Sequence, residues 1–245
     1  MNHSYIDYQN RFTVRAEWGR DAIEASYDTT DVFIIVDVLS FSTCVDIAVS
    51  KGASIFPYRF KDASADEYAV AHGAELATPR REGGRFSLSP VSMQSAQADM
   101  KIVLPSPNGA TLSMHCRGKI TLCGSLRNAA AIARAAQELG NIITIIAAGE
   151  RWENGNIRFA LEDALGCGAI IEHLSGHCSP EAQAMKQIWS NSRSNIEAIL
   201  YDCTSGNELI GRDYKEDVRL AAQINVSTTV PILTDSICYK NIEAT

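Results

Sequence analysis

The chain of 245 residues is long enough for one large domain with a substantial core, or for two small domains. Its hydrophobic content of 46% and charged content of 21% are typical of a globular protein. The formal net charge of -7 argues against a nucleic-acid-binding domain, because a basic surface supplies most of the affinity in such domains.

The sequence carries no signal that predicts export, membrane insertion or disulfide bonding. The opening MNHSYIDYQNRF lacks a basic stretch followed by an apolar one. No apolar run reaches the ~18–20 residues that a membrane-spanning helix needs. The seven cysteines are odd in number and include no CxxC pair, which favours reduced thiols. We therefore expect a cytoplasmic protein without a membrane partner.

Apolar, β-branched runs alternate with helical patterns along the chain. The predicted strands are residues 32–38, 54–58, 101–104, 119–123, 142–147 and 229–233. The predicted helices are residues 63–73, 124–140 and 160–176, followed by an almost wholly helical segment at 179–223. This alternation predicts a single α/β domain over residues 1–245, built as a three-layer α/β/α sandwich around a largely parallel or mixed sheet.

Four of these strands are followed by turns rich in small, hydroxyl and amide residues. The turns read DVLSFST, PSPNGAT, GSLRNA and AGERWENGNIRFALED, at residues 37–43, 105–111, 124–129 and 148–163. Ligands of open α/β sheets bind beyond the carboxyl ends of the strands. The four turns are therefore the candidate site.

The turns carry groups suited to an anion and to a cation. Helix starts offer unpaired N–H groups, and Gly109 and Gly124 allow close backbone approach. Three arginines could clamp a phosphate or sulfonate, namely Arg127, Arg151 and Arg158. Four carboxylates could hold a hard cation such as Mg2+, namely Asp37, Glu150, Glu162 and Asp163.

Each turn taken alone also has a purely structural explanation. SPNG is a common turn sequence, and SLRN suits a helix N-cap and first turn. Glu162 and Asp163 are favourable charges in the first turn of a helix. The recurrence of such turns after successive strands is what favours a ligand site.

Several enzyme classes lack their sequence signature here. The chain contains no GxxxxGK[ST], GxGxxG or GxSxG motif, which argues against a P-loop NTPase, a dinucleotide oxidoreductase and a serine hydrolase. An acyl or amide hydrolase that uses Cys44 or Ser42 as its nucleophile is an alternative, since both residues lie at the start of a predicted helix.

Five motifs in order resemble those of the 2-phosphosulfolactate phosphatase, or ComB-like, family. They are VDVLSFST, PNGAT, GSLRNAAAIA, AAGE…ALEDALGCGAII and DYKEDVRLAAQINVSTTVPIL, within residues 31–233. The resemblance implies an α/β/α fold with a mixed sheet. It also implies Mg2+-dependent hydrolysis of (2R)-phospho-3-sulfolactate to 3-sulfolactate and phosphate, a step towards coenzyme M.

Two departures from the family pattern bear on the substrate. Ser40 stands where family members commonly have an arginine, and EGGRFSLSP, residues 82–90, is shorter than the corresponding family segment and lacks its asparagine. Loss of an arginine weakens or redirects recognition of an anion. A phosphatase for another phosphorylated metabolite, or a non-catalytic anion-binding protein on the same scaffold, is therefore an alternative.

The residues and the resemblance together predict a site for a small phosphorylated or sulfonated substrate. We expect Asp37, Glu150 and Asp163 to be catalytic, with Mg2+ held by Asp37 and by Glu162 or Asp163. Whether Asp37 acts as nucleophile or as metal ligand is left open. A homodimer is the base-rate expectation. The predicted substrate-binding residues are Ser42, Thr43, Asn108, Gly109, Gly124, Ser125, Arg127, Asn128 and Arg151.

Overall fold

The computed structural model describes residues 9–60 and 62–242, and a nine-stranded sheet runs through its centre. The strands are β1 (Val14–Trp18), β2 (Val32–Val36), β3 (Ser54–Tyr58), β4 (Glu75–Leu76), β5 (Lys101–Pro105), β6 (Ile120–Gly124), β7 (Ile143–Ala147), β10 (Pro231–Leu233) and β11 (Tyr239–Asn241), with β8 (Glu150–Arg151) and β9 (Ile157–Arg158) as a separate hairpin. The order in the sheet is β1-β7-β2-β6-β10-β11-β3-β5-β4.

An antiparallel hairpin joins two parallel blocks of this sheet. Strands β1, β7, β2 and β6 pair in parallel, and so do β3, β5 and β4. Between the blocks, β10 pairs antiparallel with β6, and β11 pairs antiparallel with β10 and β3. The predicted largely parallel or mixed sheet is confirmed.

Eleven α-helices are found within the described residues. They are α1 (Gly19–Ser26), α2 (Phe41–Ser50), α3 (Ser64–His72), α4 (Pro90–Met93), α5 (Gly109–His115), α6 (Ala129–Leu139), α7 (Leu161–Glu172), α8 (Pro180–Ser192), α9 (Ile196–Asp202), α10 (Thr204–Ile210) and α11 (Lys215–Ala221). Residues 179–223, expected to be almost wholly helical, contain α8 to α11 with short turns between them. None of the helices in the described ranges combines the length and apolar character that crossing a bilayer requires.

Strand β2 shows why helices cover both faces of the sheet. Ile34 packs into the cluster that includes α6, α7 and α8, whereas Phe33 and Ile35 pack into the cluster that includes α1 and α5. Successive side chains of a strand point to opposite faces, so a continuously apolar strand is buried on both sides. The three-layer α/β/α fold predicted from such runs is confirmed.

Strand β1 is missing from the predicted elements, because Arg15 and Glu17 interrupt its apolar pattern. Arg15 is nevertheless only 1% exposed. Its guanidinium donates to the Phe12 carbonyl and to Thr29 Oγ1, both at 2.9 Å, and these bonds offset the cost of burying the charge. Residues 1–8 belong to the segment in which we predicted no export signal, and they lie outside the described residues.

Candidate active site

A cleft of about 190 Å³ lies where the loops after β2, β5 and β7 meet, and α10 with the turn after it forms one wall. It lies beyond the carboxyl ends of these strands, where we expected a ligand site from the sequence. Its polar lining includes Asp37, Ser40, Arg80, Asn108, Glu150 and Arg212.

The carboxylate of Asp37 connects the starts of two helices. Asp37 Oδ1 accepts a hydrogen bond from the Phe41 amide at 3.2 Å, and Oδ2 accepts one from the Gly109 amide at 2.8 Å. Phe41 and Gly109 are the first residues of α2 and α5. The partial positive charge at both helix starts stabilises the carboxylate.

Asp163 is held by backbone amides in the same way, but it does not line the cleft. Its Oδ1 accepts from the Val38 amide at 2.8 Å and its Oδ2 from the Gly149 amide at 2.9 Å. Burial, together with the charges of Glu162 and Asp37, nevertheless raises the pKa of Asp163 well above its ordinary value. The amides of these loops therefore donate to the protein's own carboxylates, whereas the sequence led us to expect amides of this kind to bind the substrate.

Glu150 and Asn108 form a pair in the cleft. Asn108 Nδ2 donates to Glu150 Oε2 at 3.2 Å, and Asn108 Oδ1 is buried without a hydrogen-bond partner in the described structure. Burial and the nearby charges of Asp37 and Glu162 raise the pKa of Glu150 to about 7. A carboxyl group with this pKa can take a proton near neutral pH.

Ser42 and Thr43 are fully buried and shape the turn after β2. Ser42 Oγ donates to the Asp37 carbonyl, and Thr43 Oγ1 donates to the Val38 carbonyl, both at 2.8 Å. They were expected to bind the substrate, but both hydroxyls bond backbone carbonyls and neither residue lines the cleft. Cys44 is also fully buried, and burial raises the pKa of its thiol well above the ordinary value. The structure therefore gives the alternative hydrolase no reactive nucleophile at this helix start.

The turn after β6 has the structural role that its sequence also permits. Ser125 and Asn128 form a capping box, in which the Ser125 amide donates to Asn128 Oδ1 at 2.8 Å. A Cβ on Gly124 would lie 2.6 Å from Ile170 Cδ1, so this glycine allows packing within the core. Gly124, Ser125 and Asn128 thus lie away from the cleft lining, in contrast to the expectation.

The three arginines singled out in the sequence do not line the cleft. Arg127 Nε lies 2.8 Å from the buried Asp46 carboxylate. Arg151 is exposed on the β8–β9 hairpin, and Arg158 lies 3.4 Å from Glu208. Arg127 is paired with Asp46 and Arg151 is exposed on the hairpin, whereas the charge of Arg158 acts on Glu150 and opposes the rise of its pKa.

Arg80 and Arg212 line the cleft instead and were not identified from the sequence. Arg80 Nη2 donates to Ser40 Oγ at 3.1 Å and lies 3.1 Å from Asp217 Oδ2. A guanidinium group therefore stands beside Ser40, the position at which the family resemblance leads one to expect an arginine. The turn Arg80–Glu82 supplies it from a distant part of the chain.

The carboxylates fit a hard cation only in part. Asp37 lines the cleft, whereas Glu162 and Asp163 are buried at 2% and 3% exposure. Within residues 9–60 and 62–242, no group of three or more His, Cys, Asp or Glu side chains is arranged to hold a metal ion. A three-carboxylate site is therefore not preformed. The residues suit Mg2+ in its common form, bound by one or two carboxylates plus substrate and water oxygens.

Comparisons with known proteins agree on one family. The family model described as 2-phosphosulpholactate phosphatase matches residues 20–236. The chain is 28% identical to the 2-phosphosulfolactate phosphatase of Methanothermobacter thermautotrophicus, with 82% of this chain and 86% of the relative covered. It is 26% identical to a probable 2-phosphosulfolactate phosphatase of Gloeobacter violaceus, covering 83% and 88%. For the 2-phosphosulfolactate phosphatase of Methanocaldococcus jannaschii the identity is 23%, over 84% and 90%.

Arg127→Ala should destabilise the fold without weakening substrate binding. Removal of Arg127 leaves the fully buried Asp46 without its ion-pair partner, at a cost of about 3 kcal/mol in the free energy of unfolding. Denaturant unfolding measures this loss, and Arg134→Ala, on the exposed face of α6, is the matched control. A raised KM with an unchanged free energy of unfolding would instead show that Arg127 contributes to substrate binding.

Glu150→Gln should stabilise the metal-free protein at alkaline pH. The pKa of Glu150 is raised from 4.5 to about 7, so the stability of the folded state falls as pH rises across this interval and stays lower above it. Glutamine carries no charge and escapes that loss. In chelator, the Tm of the variant should exceed that of the wild type at about pH 8 and match it at about pH 4. An equal Tm difference at both pH values would contradict this result.

Proposed function

Because the chain belongs to the 2-phosphosulfolactate phosphatase family, we propose that it hydrolyses a small phosphate monoester at the cleft around Asp37. By the names of its relatives, (2R)-phospho-3-sulfolactate is the first candidate substrate. The observation that carries the proposal is the joint placement of Asp37 and the Asn108–Glu150 pair in one cleft.

Asp37 is the central group of the proposed mechanism. Its carboxylate is oriented by the Phe41 and Gly109 amides before substrate arrives, which lowers the cost of organising the reaction. Asp37 would hold Mg2+, with Glu162 as the second candidate carboxylate. When bound, the ion would neutralise charge on the phosphoryl oxygens.

The Asn108–Glu150 pair is suited to position the attacking water. A water molecule held against this pair would donate one hydrogen to Glu150 and the other to Asn108 Oδ1, the oxygen that lacks a partner in the described structure. The water oxygen then attacks phosphorus while Glu150 takes its proton. The P–O ester bond breaks, and Glu150 gives the proton that it took from water to the leaving oxygen, which yields the alcohol and hydrogen phosphate.

Asp37→Asn should reduce kcat for phosphate release from 2-phosphosulfolactate by at least about a hundredfold, because the variant loses the charge at the reacting phosphate. Asp31→Asn is the matched control. Asp31 precedes β2 at its other end and also accepts two backbone hydrogen bonds, from Asn141 and Ile142 at 2.9 Å.

The control variant should keep wild-type kcat, and circular dichroism should show both variants folded. Near-normal phosphate release by Asp37→Asn would refute the assignment of the site. If neither the wild type nor the control releases phosphate from this substrate or from other small phosphate esters, the result would favour a non-catalytic anion-binding protein.

A further inference from the structure

A second, larger cavity adjoins the cleft around Asp37. Its volume is about 1060 Å³. Three residues line both spaces, namely Arg80, Leu88 and Arg212. We call the region lined by these three residues the junction. Any molecule that extends from the inner cleft into the outer cavity passes between two arginines.

The inner cleft needs positive charge that its backbone does not offer. Asp37, Glu150 and Glu208 line it, and the amides of Phe41 and Gly109 already donate to Asp37. Among the described residues that line this cleft, the cationic side chains are Arg80 and Arg212. An anionic substrate is therefore drawn to the junction by charge.

Arg80 is held in place before any ligand binds. Its guanidinium bonds Ser40 and Asp217, lies 4.8 Å from the centre of the Tyr214 ring, and is 18% exposed. Asp217 is fixed in turn by the Ser89 hydroxyl at 2.6 Å. Arg80 Nε is buried and has no hydrogen-bond partner in the described structure. A guanidinium fixed in this way loses little entropy when it binds an anion.

Arg212 complements this fixed group with a second, exposed charge. It is exposed in the turn between α10 and α11, and the ion pairs found within the described residues do not involve its side chain. Its charge is therefore available to a ligand at the junction. Two guanidinium groups, one fixed and one exposed, suit a planar carboxylate or a sulfonate.

We propose that Arg80 and Arg212 bind a second acidic group of the substrate, a carboxylate or a sulfonate, while the phosphate occupies the inner cleft beside Asp37. The proposal rests on the phosphatase function proposed above and assigns the residues that bind the second acidic group. Both arginines act in binding and take no part in bond cleavage.

The test compares Arg212→Ala and Arg80→Lys on substrates with and without the second acidic group. The substrates are 2-phosphosulfolactate, phospholactate, which lacks the sulfonate, and 4-nitrophenyl phosphate, which has neither acid. Arg81→Ala is the matched control, because Arg81 neighbours Arg80 but lines only the outer cavity.

Arg212→Ala should raise KM for 2-phosphosulfolactate about tenfold, the value of one charge-assisted hydrogen bond, with little change in kcat. Arg80→Lys keeps the charge without the planar fork and should raise KM by a smaller factor. Both variants should lower kcat/KM for 4-nitrophenyl phosphate by a clearly smaller factor than for 2-phosphosulfolactate, because that substrate has no second acidic group. Arg81→Ala should match the wild type throughout. If the variants raise KM for phospholactate by the same factor as KM for 2-phosphosulfolactate, the junction binds the carboxylate. If the factor for phospholactate is smaller, the junction binds the sulfonate.

Equal losses with 4-nitrophenyl phosphate would overturn the proposal, because the arginines would then act on the phosphate. No effect on any substrate would overturn it as well. If the wild type releases phosphate from none of the three, the phosphatase function fails, and calorimetric binding of 3-sulfolactate tests the junction directly. Binding that Arg212→Ala abolishes would support the junction, and absence of binding to the wild type would refute it.

Discussion

The hydrogen bonds from two helix starts to the Asp37 carboxylate fix the geometry on which the site depends. They bring α5 so close to Asp37 that a Cβ on Gly109 would lie 2.8 Å from Oδ2 and 2.4 Å from the Phe41 ring. Glycine is therefore the residue that this approach allows. Because Asn108 immediately precedes Gly109, the same approach places the Asn108 side chain against Glu150.

The use of these amides also sets the electrostatics of the cleft. In many α/β proteins, helix starts bind the ligand's phosphate, but here they stabilise Asp37, and the Val38 and Gly149 amides stabilise Asp163. The interior of the site is consequently rich in negative charge, and burial raises the pKa of Glu150 to about 7. Positive charge for an anionic substrate must come from a bound cation or from side chains such as Arg80.

The sequence predicts the strands and the fold of this molecule better than the contacts of its candidate active site. Continuously apolar strands identify β2, β5 and β7, and the polar residues after them include Asp37, Asn108 and Glu150. Local sequence could not distinguish an amide that serves a ligand from one that serves a nearby carboxylate. Nor could it pair Arg80 with Asp217, 137 positions further along the chain. Such contacts depend on tertiary packing, which leaves no periodic signal.

The central claim is that this cleft hydrolyses a phosphate monoester with the help of a divalent cation. The most direct measurement is phosphate release from 2-phosphosulfolactate by the purified protein, in Mg2+ and in excess chelator. We expect catalytic release in Mg2+ that chelator abolishes and fresh Mg2+ restores. Folded protein that releases no phosphate in Mg2+, or that releases it equally in chelator, would contradict the proposed function.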